Sequence, residues 1–145
     1  MSDLSRRSFL GLCGMLAPLS AEALSPRPQK FSVFFDSGST RLHPQAETAF
    51  KLTVELFRDY EGRAEGRTIV EVSAHTDSFE GQTYDLDLSP RRGEVVKNRL
   101  IELGIPPDRI RLLTYADSNP LVGGLPPGSR EPQNRRVEIY VPQPW

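Results

Sequence analysis

The chain has 145 residues, a length that sets a prior of one domain. Its formal net charge of −1 argues against nucleic acid as the main partner, because phosphate binding wants a basic surplus. A single cysteine, Cys13, excludes both an internal disulfide framework and a cysteine metal cage.

Residues 1–23 read as an export signal rather than as part of the fold. Ser5-Arg6-Arg7-Ser8-Phe9-Leu10 is a twin-arginine pattern, and a weakly apolar stretch runs on to Leu19 through Gly11, Gly14 and Pro18. Ala21-Glu22-Ala23 places small residues where a signal peptidase would cut before Leu24. The stretch is short of the ~20 apolar residues of a membrane-spanning helix. Two alternatives stay open: a disordered or membrane-lying helix, and a lipoprotein signal with Cys13 as the lipid acceptor. Bulky Leu12 and the short apolar run before Cys13 count against the second.

Residues 24–30 read as a linker and 143–145 as a tail, leaving a domain over 31–142. Phe31 to Phe35 suits a first strand, broken at Asp36-Ser37-Gly38-Ser39. Pro44 is suited to the first helical position, and Ala46, Ala49, Phe50, Val54 and Phe57 recur at helical spacing up to Tyr60–Gly62. Thr68 to Ala74 alternates as a second strand, with Val70 and Val72 on one face. A second helix is expected with Ser89 as N-cap and Pro90 at its first position. Val96, Leu100 and Leu103 line it, and Gly104 ends it. Ile110 to Tyr115 reads as a third strand. Asn119 to Gln133, with four prolines and three glycines, reads as a long loop, and Arg135 to Val141 alternates as a fourth strand. The order β-α-β-α-β-β predicts an α/β (α+β) sandwich: two main helices on one or both faces of a small mixed four-stranded sheet.

Asp77 ends the second strand, and Arg91 and Arg92 open the second helix. Cations in a first helical turn oppose the macrodipole at roughly 0.3–1 kcal/mol each, so something should offset them. Asp85 and Asp87, just upstream, could do so as a structural salt bridge. The functional alternative is a carboxylate receptor, since a guanidinium at a helix start adds to the free N–H groups there. With Asp77 for an ammonium, such a pair can hold a zwitterion. The ordinary role of Asp77 is a turn or loop cap. Asn134-Arg135-Arg136 either blunts a strand edge or organises the mouth of the same site. Two histidines, His43 and His75, and no Gly-x-Ser-x-Gly elbow give little support for a metal centre, a cofactor or an enzyme.

Taken in order, four motifs resemble the OmpA-like domain family, the peptidoglycan-binding module of outer-membrane protein A, Pal lipoproteins and flagellar MotB proteins. They are Phe35-Asp36 with Ser39 and Leu42; His75-Thr76-Asp77; Tyr84 with Leu88-Ser89 and Arg92; and Asn134-Arg135-Arg136-Val137-Glu138. The resemblance runs from about Phe31 to Val141. It implies a non-catalytic periplasmic protein, associated with the wall and the outer membrane, that grips the diaminopimelate of a peptidoglycan stem peptide. Asp77 and Arg92 would clamp the free ammonium and carboxylate, with Thr76, Asp36, Asp85, Asn134 and Arg135 around them. Envelope proteins are further candidate partners, and the alternative role is an envelope scaffold whose pocket is vestigial. The chain departs from the family pattern at Ala74 (usually Gly), at Gly81 (one position late after Thr-Asp), at Asp85 (usually Asn), at Gly93 (usually Ala) and at Tyr115-Ala116-Asp117 (usually Gly-x-Gly).

Overall fold

The computed structural model describes residues 29–64, 67–83 and 87–142. The twin-arginine segment, Cys13, Asp85 and the tail at 143–145 lie outside them.

Strand β1 (Gln29–Phe34) starts two residues ahead of expectation. The cause is distant in sequence: Gln29 and Lys30 pair with Val141 and Tyr140 of the last strand. Helix α1 (Ala46–Arg63) buries Ala46, Phe50, Val54 and Phe57 of the expected stripe, leaves Ala49 half-buried, and adds Thr53 and Tyr60. Pro44 is not its first residue but sits in the preceding turn, where its carbonyl accepts the Glu47 N–H at 3.2 Å. Strand β2 (Val70–His75) buries Val70, Val72 and Ala74 in strict alternation. A six-residue helix, α2 (Ser78–Thr83), follows it and is not foreseen by any periodicity. Then come α3 (Leu88–Glu102), β3 (Ile110–Ala116) and β4 (Arg136–Val141).

The sheet order is β1-β4-β2-β3. Strand β4 runs antiparallel to both β1 and β2, whereas β2 and β3 are parallel and joined through the helices. Val33, Val72, Ala74, Val137 and Ile139 are brought to one face by this register. There they meet Phe50, Val54 and Phe57 of α1 and Val96 and Leu100 of α3 in one core. The helices therefore cover one face. The other carries ion pairs between Lys30 and Glu138, Arg136 and Glu138, and Arg111 and Glu71.

Two glycines have identifiable work in α3. Gly104, at φ +108°, closes it: its N–H bonds to Ile101 O at 3.0 Å and the Ile105 N–H to Leu100 O at 3.1 Å. Gly93 lets α3 approach β3. A Cβ there would overlap the Leu112 side chain and lie 3.3 Å from the Ala74 Cβ. Gly93→Ala should therefore lower stability by about 1–3 kcal/mol despite alanine's better helix propensity. In a Leu112→Ala background the same change should be neutral or stabilising in urea titration. Destabilisation of equal size in both backgrounds would show that Leu112 is not the obstacle.

Candidate functional site

Ser89 anchors the start of the helix that carries Arg92, but not by capping. Helix α3 begins one residue earlier, at Leu88, and Asp87 at the cap position makes no side-chain cap bond. The Ser89 hydroxyl instead donates to Ala74 O at 3.2 Å and accepts the Ala116 N–H at 3.3 Å. It thus joins β2 to β3 where their register shifts between Ala74 and His75. Ala116 is held there at φ +48°, a left-handed conformation that favours glycine. Pro90 stays in the first turn, where its missing N–H leaves no helical bond unmade.

One turn beyond Ser89, the Arg92 side chain is fully buried. A guanidinium has five N–H donors, and each finds an acceptor. Nε donates to Ser39 O at 2.9 Å, and the terminal nitrogens to His75 O at 3.3 Å and Asp36 O at 3.0 Å. The remaining two grip both carboxylate oxygens of Glu80, at 2.8 and 2.6 Å. The ring of Phe35 lies 5.1 Å from the guanidinium carbon. Glu80 is as buried as Arg92, and its carboxylate also accepts the backbone N–H of Gly38 at 2.7 Å and of Asp77 at 3.3 Å. The Arg92 cation near the start of α3 is therefore offset by Glu80, an acid twelve positions upstream. Asp87 pairs with Arg91, 3.5 Å away at the surface.

Asp77 is also buried and fully engaged. One carboxylate oxygen accepts the Glu80 N–H at 2.8 Å, and the other accepts the Glu131 N–H and an Arg135 N–H, each at 3.1 Å. Asp77 and Glu80 thus cap the start of α2 reciprocally, each carboxylate bonding the other's backbone N–H. Arg135 also donates to Phe35 O at 3.1 Å. Asp77, Arg92 and Arg135, together with the Asp36 carbonyl, converge on the space around Glu80 and Phe35.

The other expected residues stand apart from this centre. The Asp36 carboxylate is 73% exposed and lies 3.2 Å from His43. Thr76 is buried and donates its N–H to Ala116 O at 2.9 Å. Asn134 ties down the long loop: its amide bonds both the N–H and the carbonyl of Val122, at 2.9 and 3.0 Å. Thr76 and Asn134 share an open cavity of about 310 Å³ with Ser78, Gln82, Asp117 and Ser129. Its walls flank Asp77 in the chain. At the neighbouring Gly81 a Cβ would lie 2.8 Å from the carboxylate of exposed Asp117, which would have to move aside. His75 stacks on Tyr115 with ring centres 5.2 Å apart, and burial together with the Arg136 charge pushes its pKa down to about 4. It is therefore neutral at physiological pH.

Glu80 is the residue that periodicity and charge placement missed. Its signal was present in Asp77-Ser78-Phe79-Glu80, an acid followed three positions later by glutamate, which is a helix-start pattern.

The OmpA family model matches residues 34–135, which span every site residue from Asp36 to Arg135. An outer membrane protein of Gluconacetobacter diazotrophicus is 42% identical over 80 residues, covering 51% of this chain and 21% of its own length. The probable lipoprotein YiaD of Escherichia coli is 32% identical over 110 residues, 76% of this chain and 48% of its own. The peptidoglycan-associated lipoprotein of Pseudomonas aeruginosa is 30% identical over 106 residues, 73% of this chain and 59% of its own. The chain spans less than half the length of the first curated relatives it matches. Among solved structures, the OmpA-like domain of FopA1 from Francisella tularensis superposes with a TM-score of 0.65 at 23% identity, over 81% of this chain and 73% of that one. The peptidoglycan-associated lipoprotein of Burkholderia pseudomallei gives 0.62 at 23% identity, over 75% and 88%. The fold is shared with these structures, and the family model covers most of the domain: the chain belongs to the OmpA family.

Proposed function

We propose that this chain is an exported, non-catalytic cell-wall-binding protein. It holds the diaminopimelate side chain of peptidoglycan stem peptides, with Arg92 for the carboxylate and Asp77 for the ammonium. Arg135 holds the Asp77 carboxylate in place, and Thr76, Asp36, Asp85 and Asn134 are assigned to the outer rim of the binding region. The proposal places the protein in the periplasm, against the peptidoglycan and the outer membrane, after residues 1–23 have directed its export by the twin-arginine route.

The observation that carries this reading is the cradle around the Glu80 carboxylate. The Arg92 fork and the N–H groups of Gly38 and Asp77 converge on one carboxylate. That is the donor set a carboxylate ligand needs, and Asp77 stands beside it for a neighbouring ammonium. A clamp on one amino-acid head group gives modest affinity per site, so retention on the wall would come from many ligand copies.

A second reading is an envelope scaffold with a vestigial pocket. It is favoured by the absence of exposed surface on Arg92 and Asp77. The test is co-sedimentation of the wild-type protein with purified sacculi, competed by soluble stem peptides. Wild type should sediment, a diaminopimelate stem peptide should release it, and the same peptide amidated at the free stereocentre carboxylate should not. Equal release by both peptides would rule out a carboxylate clamp, and no sedimentation at all would leave the scaffold role. No soluble muropeptides should appear during the incubation.

A further inference from the structure

We infer that Glu80 is a specificity-determining residue that stands in for the ligand: its carboxylate occupies the position on Arg92 that a bound carboxylate would take. This rests on the wall-binding reading for the identity of the natural ligand, but not for the chemistry. The geometry is that of a bound ligand rather than of a surface salt bridge. Both Glu80 oxygens meet both terminal nitrogens of Arg92, and two backbone N–H groups complete the shell.

Helix α2 carries this carboxylate and is only six residues long. Besides the cap bonds between Asp77 and Glu80, it is held by the Gly128 N–H donating to Ser78 Oγ at 2.8 Å and the Phe79 N–H donating to Ser129 O at 3.1 Å. Arg130 lies over the Phe79 ring at 3.9 Å. All these ties run to the proline- and glycine-rich loop that also walls the open cavity beside Thr76 and Ser78. A carboxylate that displaces Glu80 takes over its bonds to Arg92, so the affinity of the open site is divided by the preference for the closed one. Wild type therefore discriminates against isolated small carboxylates and responds to ligands with further contacts to offer.

The experiment uses acetate as the carboxylate probe and sacculi as the multivalent one. In thermal unfolding at constant ionic strength, acetate should raise the melting temperature of Glu80→Ala saturably. It should leave wild type and the receptor-free double variant Glu80→Leu/Arg92→Met unchanged. On sacculi, Glu80→Ala should bind about tenfold tighter than wild type or better. If the alanine variant folds only when acetate is present, that itself supports the inference. If it folds at no acetate concentration, Glu80→Gln, which keeps the shape without the charge, decides by its sacculus affinity: tighter than wild type supports the inference, equal overturns it. Acetate that acts no differently on Glu80→Ala and wild type, or equal affinity of the two on sacculi that both bind, overturns it and leaves the wall-binding reading standing. Acetate protection of Glu80→Ala with no binding of either protein to sacculi does the reverse: Glu80 stands as the internal carboxylate, and the wall is not the ligand.

Discussion

Arg92→Ala should destabilise the domain by about 3–5 kcal/mol, the range for removing one member of a buried ion pair. The loss has two sources. Glu80 becomes a buried carboxylate with only the two N–H groups of Gly38 and Asp77 for partners. In addition, the carbonyls of Ser39, Asp36 and His75 lose the donor that ties the segment after β1 to the end of β2. Small domains are typically stable by only about 5–15 kcal/mol, so this is a large fraction of the whole. Pairing Arg92→Met with Glu80→Leu should recover part of the loss, because no buried charge is left alone, but not all of it, because the carbonyls of Ser39, Asp36 and His75 still lose their Arg92 donors. Urea titration of the two singles and the double gives the coupling directly. A loss under about 1 kcal/mol for Arg92→Ala would mean that water reaches the pair in solution. Any loss of wall binding by Arg92→Ala must therefore be read beside a measurement of its folding.

Asp77→Asn, nearly isosteric, should cost about 2–4 kcal/mol, approaching Asp77→Ala at about 3–5 kcal/mol. The asparagine oxygen can still accept the Glu80 N–H and keep the cap on α2. Its NH₂ group, however, would then face the Glu131 N–H and the Arg135 guanidinium, two donors that now share one carboxylate oxygen. Turning the amide over satisfies those donors and breaks the cap instead. Either way a buried donor meets a donor. Chemical denaturation should therefore rank the variants wild type, Asp77→Asn, Asp77→Ala, with the asparagine closer to the alanine. A near-wild-type midpoint for Asp77→Asn would show that Arg135 contributes little to holding this carboxylate.

The parts of the fold that were legible in the sequence are those whose burial repeats with a local period. Val70, Val72 and Ala74, or Phe50, Val54 and Phe57, announce an inward face without reference to the rest of the chain. Gly104 before Ile105-Pro106-Pro107 announces a helix end in the same way. Helix α2 escaped because six residues give less than two turns of pattern, and Ser78, Gly81 and Thr83 read as loop. The extra residues of β1 are visible only through their pairing with Tyr140 and Val141, at the far end of the domain. In the site, Asp77, Arg92 and Arg135 were each identifiable, but their partners were not. Charge placement ranks partners by distance along the chain, which serves for Arg91 and its near neighbour Asp87; the fold ranks them by distance in space and selects Glu80 for Arg92. Ser89 shows the same limit, since Ser-Pro is a sound helix-start pattern whose hydroxyl here serves two strands instead.

The sheet order sets the timing of folding. Strand β4 follows the other three described strands in the chain, yet it lies between β1 and β2, and among the described residues β1 pairs with β4 alone. Until residues 136–141 are available, the first strand has nothing to bond to and the inward faces of β1 and β2 are not joined. Contacts such as Gln29 with Val141 span almost the whole domain, the kind of long-range closure that slows folding. The chain up to Ala116 can form helices and the local β2–β3 unit, but it cannot complete the domain without residues 136–141. Completion of the sheet thus waits on β4, the strand that joins its two halves.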